Sequence, residues 1–122
     1  MTVNGGMARL IDGKSGAVIV ETLRVARGTL ERMRGLLGRD RLSPGEGLLI
    51  ERCSSIHTFF MRFPLDVMFL DGEFRVTKVR RHLGPWRLAG APGSACVVEL
   101  AAGALDGLDL PPGRALAVEG AA

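Results

Sequence analysis

The stretch CSSIHTFFMRFPLDVMFLD, residues 53–71, decides the fold class and contains the residues most able to bind a ligand or take part in a reaction. All five phenylalanines lie between Phe59 and Phe74. Arg62 and Asp66 are ionisable side chains within this apolar run, and an isolated buried charge is very costly unless it is paired or hydrogen-bonded. The stretch is therefore either a specially stabilised core or a site.

The pattern inside that stretch predicts strands. LDVMFL, residues 65–70, has apolar residues at both odd and even positions, which is typical of a strand covered on both faces. Asp71-Gly72 follows directly and is a strong signal for a two-residue hairpin. Residues 73–83 then alternate as the second strand of that hairpin.

The flanking sequence predicts further strands and one helix. Strand-like runs stand at residues 17–25, 47–51, 95–100 and 114–119. Thr29 can cap a main helix over about residues 29–38, and a short helical turn is expected at about residues 103–108. The predicted fold class is α+β and mainly antiparallel β, with a small curled sheet or partial barrel.

Length and composition indicate one domain. The chain has 122 residues, enough to bury a core without disulfides. We expect a flexible N-terminal tail and strand lead-in at 1–16, a single globular domain at 17–119 and a flexible C-terminus at 120–122. No apolar run is long enough to cross a bilayer and no signal-peptide pattern is present, so a cytoplasmic location with reduced cysteines is expected.

Six short motifs stand in a fixed order between about Val18 and Val118. They are Gly35-Leu36-Leu37-Gly38-Arg39, Gly47-Leu48-Leu49-Ile50, Phe60-Met61-Arg62, Pro64-Leu65-Asp66-Val67, Phe69-Leu70-Asp71 and Val98-Glu99-Leu100, accompanied by Gly103 and Gly113. In this order they resemble the domain of unknown function 192 family of small prokaryotic proteins. The resemblance implies a compact, mainly β fold and no particular reaction.

The cysteines could bind zinc or act in catalysis, or they could simply be small core residues. Cys53, His57, His82 and Cys96 could form a zinc set, but no Cys-x-x-Cys pair is present. Cys53 could act as a nucleophile with His57 as its base, yet no oxyanion-hole loop surrounds it. Cys53, His57 and Asp66 are thus only weak catalytic candidates, and neither a metal nor another cofactor is predicted.

Charged and aromatic residues define the predicted ligand-binding set. Its members are Arg39, His57, Met61, Arg62, Asp66, Glu99 and Trp86. Asp66 and Glu99 interrupt apolar strands, and Arg39 could reach one of them. A structural ion-pair network is the simpler hypothesis, and a functional pocket would require His57, Arg62 and both acids to converge.

Basic residues raise the alternative of nucleic-acid binding. Fourteen arginines and two lysines give a net charge of +3, and Trp86 could stack on a base. No established RNA-binding signature is present, so a solvated basic face is the simpler interpretation. Neighbouring strand residues point oppositely, so Phe59 or Phe63 could line an exposed apolar groove.

We therefore expect a noncatalytic binding or accessory domain for a small molecule or protein partner, acting as a monomer or weak homodimer. The alternatives are a small enzyme using His57, Asp66 or Cys53, and a basic RNA-binding protein. An enzyme would gather His57 and the acids around a concave opening. A binding module would instead show an exposed apolar groove.

Overall fold

The computed structural model describes residues 8–26 and 42–120, which form nine strands. In chain order they are β1 (Ala8–Asp12), β2 (Val18–Ala26), β3 (Glu46–Glu51), β4 (Ser55–His57), β5 (Leu65–Leu70), β6 (Val76–Leu83), β7 (Leu88–Gly90), β8 (Cys96–Ala101) and β9 (Leu116–Glu119). No helix in this part of the chain is long and apolar enough to cross a membrane.

Seven of these strands form one sheet in the order β6-β5-β8-β3-β2-β1-β9. Strands β2 and β3 run parallel, and the other neighbouring pairs are antiparallel. Strands β4 and β7 form a separate antiparallel pair. Ala8–Asp12, which fall within the expected tail and strand lead-in, lie between β2 and β9 as β1.

The large sheet curls into a half-barrel because its two edges meet at one end. A β-bridge joins Arg75, just before β6, to Ala115, just before β9. The Val76 amide donates to the Arg114 carbonyl at 2.9 Å, and the Gly113 amide donates to the Val76 carbonyl at 2.7 Å. The pairing of β5 with β6 shifts register twice, and such bulges bend a strand and increase its twist.

Two apolar cores lie on opposite faces of this sheet. In β5, Met68 and Leu70 face the main core inside the curl, whereas Val67 and Phe69 face a second core. Ile56 of β4 and Ala89 of β7 also pack into the second core. All six residues of β5 are buried, which confirms the prediction that LDVMFL is covered on both faces.

The predicted α+β class with one main helix is wrong, because the described residues form strands and turns and contain no helix. The stretch 29–38, to which the main helix was assigned, lies outside the described residues. The helical turn expected at 103–108 is a run of tight turns in which Gly103 and Gly107 adopt φ of 94° and 77°. Those left-handed conformations interrupt a right-handed helix.

The hairpin predicted after β5 exists, but its connection is longer than two residues. β5 ends at Leu70 and β6 begins at Val76. The Asp71 carboxylate accepts hydrogen bonds from the amides of Glu73 and Arg75, at 2.8 and 2.9 Å. Asp71 thus folds the loop with its own side chain, in the manner of an Asx turn.

A close approach between β3 and β2 makes Gly47 sensitive to substitution. A Cβ atom at this position would lie 2.9 Å from Val20 Cγ1, and Val20 is fully buried. Gly47→Ala should therefore lower the free energy of unfolding by about 1–3 kcal/mol, as overpacking does in other cores. Urea denaturation measures the change.

Gly72→Ala is the matched control, because nothing lies within 4 Å of its added methyl group. Its unfolding midpoint should stay close to that of the wild type. Equal stability of the two variants would contradict the close packing of β2 on β3.

Candidate functional site

Asp66 in β5 is fully buried, and its carboxylate is satisfied by backbone amides. The His82 amide donates to Oδ1 at 2.8 Å. The amides of Gly103 and Leu105 donate to Oδ2 at 3.1 and 2.9 Å. Hydrogen bonds to an ionised acceptor are stronger than neutral ones, so this carboxylate fastens β5 to β6 and to the turn after β8.

Glu99 in β8 has a different environment. Its side chain is buried, its pairing partners on the adjacent strands are Leu48 and Val67, and no described residue donates a hydrogen bond to it. Burial raises the pKa of this carboxyl from 4.5 to about 7. Val67 faces the second core and Asp66 the main core, so the two acids lie on opposite faces of the sheet and do not converge.

Both cysteines are free, and their thiols are not arranged as nucleophiles with a neighbouring base. The Cys53 thiol donates to the Ser55 carbonyl at 2.9 Å. Burial raises the pKa of the Cys96 thiol to about 11, with smaller contributions from nearby Glu51 and Asp71. The Nδ1 of His57 accepts from the Phe59 amide at 3.2 Å, and no hydrogen bond joins His57 to Cys53 among the described residues.

The remaining predicted site residues occupy separate places. Met61 packs into the second core, whereas Arg62 is on the surface. Arg39 lies outside the described residues. His82 contacts Asp106 through Nε2 at 3.1 Å, and no group of three or more metal-ligating side chains among the described residues could hold an ion.

A cluster of exposed apolar side chains lies beside the β4–β7 pair. We call it the aromatic patch, and it comprises His57, Phe59, Phe60, Trp86 and Leu88. Phe60 and Leu88 are each 69% exposed and Trp86 is 55% exposed, which makes them the large hydrophobic residues most open to solvent in the described chain. The patch combines two predicted site residues, His57 and Trp86, with Phe59, which could line an exposed groove according to the sequence, and with Phe60 and Leu88, which sequence patterns did not assign to a site.

Each aromatic ring of the patch contacts at least one other ring of the patch. The centroids of His57 and Phe59 are 4.9 Å apart, with their planes inclined by 32°. Phe59 stacks on Trp86 at 5.6 Å and 25°. Phe60 also contacts Trp86, with centroids 4.7 Å apart and planes inclined by 58°.

Thr58, in the interior beneath the aromatic patch, holds the two turns that carry its rings. It is fully buried, and its Oγ1 donates to the Gly84 carbonyl at 2.6 Å and accepts from the Arg87 amide at 2.9 Å. Its carbonyl oxygen accepts from the amides of Met61 and Trp86. One threonine thus joins the turn at 58–61 to the turn at 84–87, so that the side chains beside it project outward.

Each of the two turns contains one residue with a strained backbone. Phe60 and Trp86 adopt φ of 67° and 62°, a left-handed conformation that L residues rarely adopt. Each such residue costs about 1–3 kcal/mol and persists only where the surrounding structure enforces it. The hydrogen bonds of Thr58 supply that enforcement here, so the patch is held in one conformation.

The fold and this surface define a small curled-sheet domain with a rigid apolar patch. The chain belongs to the domain of unknown function 192 family, described as Uncharacterized ACR, whose profile matches residues 10–118. The resemblance predicted from the ordered motifs is confirmed.

Proteins similar to this chain occur in archaea and bacteria. A protein of Thermococcus sibiricus named UPF0127 protein is 32% identical over 108 residues, which cover 82% of this chain and 68% of the relative. A solved structure from Sinorhizobium meliloti 1021, described as a candidate transcription regulator, matches with a TM-score of 0.77 and 26% identity over 93% of this chain and 92% of that one.

A second solved structure supports the fold alone. It is a protein of unknown function from Novosphingobium aromaticivorans DSM 12444, with a TM-score of 0.76 and 22% identity. The match covers 90% of this chain and 82% of the other.

Asp66→Asn should destabilise the fold. Asparagine keeps one acceptor oxygen, but its NH2 group can only donate, so at least one of the three backbone donors loses its acceptor. We expect a loss of about 2–3 kcal/mol in the free energy of unfolding, measured by chemical denaturation.

Asp109→Asn provides the control, since the Asp109 side chain is 89% exposed. Its stability should match that of the wild type. An Asp66→Asn variant as stable as this control would show that the carboxylate is not a structural fastening.

Glu99→Gln should change how stability depends on pH. The folded-state pKa of about 7 lies above the ordinary value of 4.5, so the folded state holds the Glu99 proton more tightly than the unfolded chain does. Wild-type stability therefore falls as pH rises from 4.5 to about 7, by up to about 3 kcal/mol from this group. The variant lacks this loss.

The measurement is the free energy of unfolding of both proteins at several pH values across that window. The difference between them should move in favour of Glu99→Gln as pH rises. Glu73→Gln, at an exposed position, serves as the control and should keep a nearly constant difference. Parallel pH profiles for Glu99→Gln and the wild type would contradict the effect of burial on the Glu99 carboxyl.

Proposed function

We propose that this protein is a noncatalytic binding module and that the aromatic patch is its binding surface. The single observation that carries this proposal is the exposure of Phe60, Trp86 and Leu88 side by side on a rigid support. Contiguous exposed apolar patches on small proteins commonly mark interaction sites.

The energetics of the patch favour a role other than folding. Burying a large apolar side chain stabilises a protein by about 1.5–3 kcal/mol, and the exposed members of the patch forgo most of that gain. Phe60 and Trp86 also carry left-handed backbone strain. The fold therefore maintains a costly surface, which is expected where a partner later covers it.

The rigidity of the patch favours binding in a second way. Thr58 fixes both turns by hydrogen bonds, so the rings are already ordered before a partner arrives. Ordering side chains at an interface normally costs about 0.5–1.5 kcal/mol for each rotamer-rich residue. A preorganised surface avoids much of that cost.

The separation of the candidate chemical groups supports a noncatalytic role. Asp66 is saturated by backbone amides, and Glu99 faces the opposite side of the sheet. Cys53 and His57 each bond to their own local backbone. Acid–base or nucleophilic catalysis needs such groups within mutual hydrogen-bond reach.

We also propose that the protein acts in the cytoplasm, as a monomer or weak homodimer. Two free thiols suit a reducing compartment. The description of the Sinorhizobium meliloti structure as a candidate transcription regulator adds nucleic acids to the partners worth testing.

Trp86 is the single tryptophan of the chain, so its fluorescence reports directly on the patch. The experiment is a titration of the full chain with three probes: a single-stranded oligonucleotide, anionic phospholipid vesicles and an amphipathic apolar peptide. We expect at least one probe to produce a saturable change in Trp86 emission.

Phe60→Asn is the test variant, because asparagine tolerates the left-handed conformation and removes the exposed ring. It should fold with unchanged or higher stability and weaken binding of the active probe by about tenfold or more. His82→Asn relieves the same conformation outside the patch and should bind like the wild type. Failure of every probe to bind, or equal binding by Phe60→Asn, would refute the proposal.

A further inference from the structure

The chain segments that build the aromatic patch contain no acidic residues. Residues 52–65 and 74–98 hold no aspartate or glutamate, although the whole chain has 13 acids. The same two segments carry seven basic residues: Arg52, Arg62, Arg75, Lys78, Arg80, Arg81 and Arg87. Arg75 is paired with Asp71 and Glu73, and four of the seven belong to β6 or the residue before it. Arg62 and Arg87 stand next to the patch in sequence with no acid between 52 and 65 or between 84 and 98, which favours an anionic partner.

Two exposed arginines are adjacent to the rings. Arg87 follows Trp86 directly, and its Nη1 donates to the Trp86 backbone carbonyl at 3.4 Å, which keeps the exposed guanidinium beside that turn. Arg62 stands two residues after Phe60 and is also on the surface. Guanidinium groups bind phosphate oxygens through planar, charge-assisted hydrogen bonds.

The ring geometry indicates which anionic partner fits. Phe59 stacks on Trp86 at 5.6 Å and 25°, and His57 contacts Phe59 at 4.9 Å in a tilted arrangement. Exposed aromatic rings of this kind are the groups on which unpaired bases stack. Insertion into a lipid surface needs protruding side chains but no ring stacking.

From these observations we infer that the ligand of the aromatic patch is a single-stranded nucleic acid. Bases stack on the exposed rings of Phe60 and Trp86, and the phosphates contact Arg62 and Arg87. A duplex is a poorer ligand, because its bases already stack on one another and present no free faces. This inference rests on the proposed function and specifies its ligand.

The test measures binding of the full chain to a fluorescent single-stranded oligouridine by anisotropy at about 0.15 M salt. The same measurement uses a duplex of equal length and anionic vesicles as separate arms. We expect saturable binding of the single strand, and weaker binding of the duplex by about tenfold or more.

Variants separate stacking from charge. Phe60→Asn and Trp86→Asn should each weaken oligouridine binding by about tenfold, since stacking on a base contributes that much. Arg87→Gln should weaken binding and reduce the slope of log affinity against log salt by about 0.7, the value for one phosphate contact on a single strand. Arg9→Gln, on β1 and paired with Glu119, should leave both unchanged.

The outcomes distinguish this inference from the proposed function. Binding to vesicles or to the peptide but not to oligouridine would overturn the inference and leave the aromatic patch as a binding surface. Oligouridine binding that survives Phe60→Asn and Trp86→Asn would overturn the inference by placing the nucleic acid elsewhere. Binding of no probe would overturn both.

Discussion

The Asp66 carboxylate accepts hydrogen bonds from three backbone amides, one in β6 and two in the turn after β8, and these bonds tie β5 to both segments. A charged acceptor in an apolar interior is stable only when its lone pairs are filled, so the three donors are constrained in position by the cost of leaving it unpaired. His82, one donor, sits at an irregularity of β6 with φ of 54°. The buried acid therefore keeps the bulge that bends β6 toward the far edge of the sheet.

Thr58, like Asp66, is a buried polar residue that hydrogen-bonds to backbone from another part of the chain, but its side chain is neutral. Its hydroxyl and backbone connect two turns, and the strain at Phe60 and Trp86 is offset by those bonds. In both places one buried polar residue organises backbone from other parts of the chain. The bonds of Asp66 hold strands and a turn together, whereas those of Thr58 hold two turns that carry exposed rings.

Sequence patterns predicted the strand core and part of the patch. LDVMFL correctly predicted a strand covered on both faces. Strand alternation suggested that Phe59 or Phe63 could line an exposed groove, but β4 ends at His57 and the most exposed ring is Phe60, in the turn that follows. The partners of Asp66 could not be predicted, because they are backbone amides 16, 37 and 39 residues away and every residue type except proline offers one. The opposite orientations of Asp66 and Glu99 depend on the pairing of β5 with β8, which neither strand reveals alone. The role of Thr58 could not be predicted, because a single threonine does not form a sequence motif.

The contact between Arg75 and Ala115 affects how this molecule behaves at high concentration. Open sheets present unpaired edge strands on which other chains can polymerise. Here the beginning of β6 and the approach to β9 occupy each other's hydrogen-bonding groups, so part of each edge is closed to neighbours. The half-barrel thereby gains protection against fibril growth, although its aromatic rings remain open to solvent.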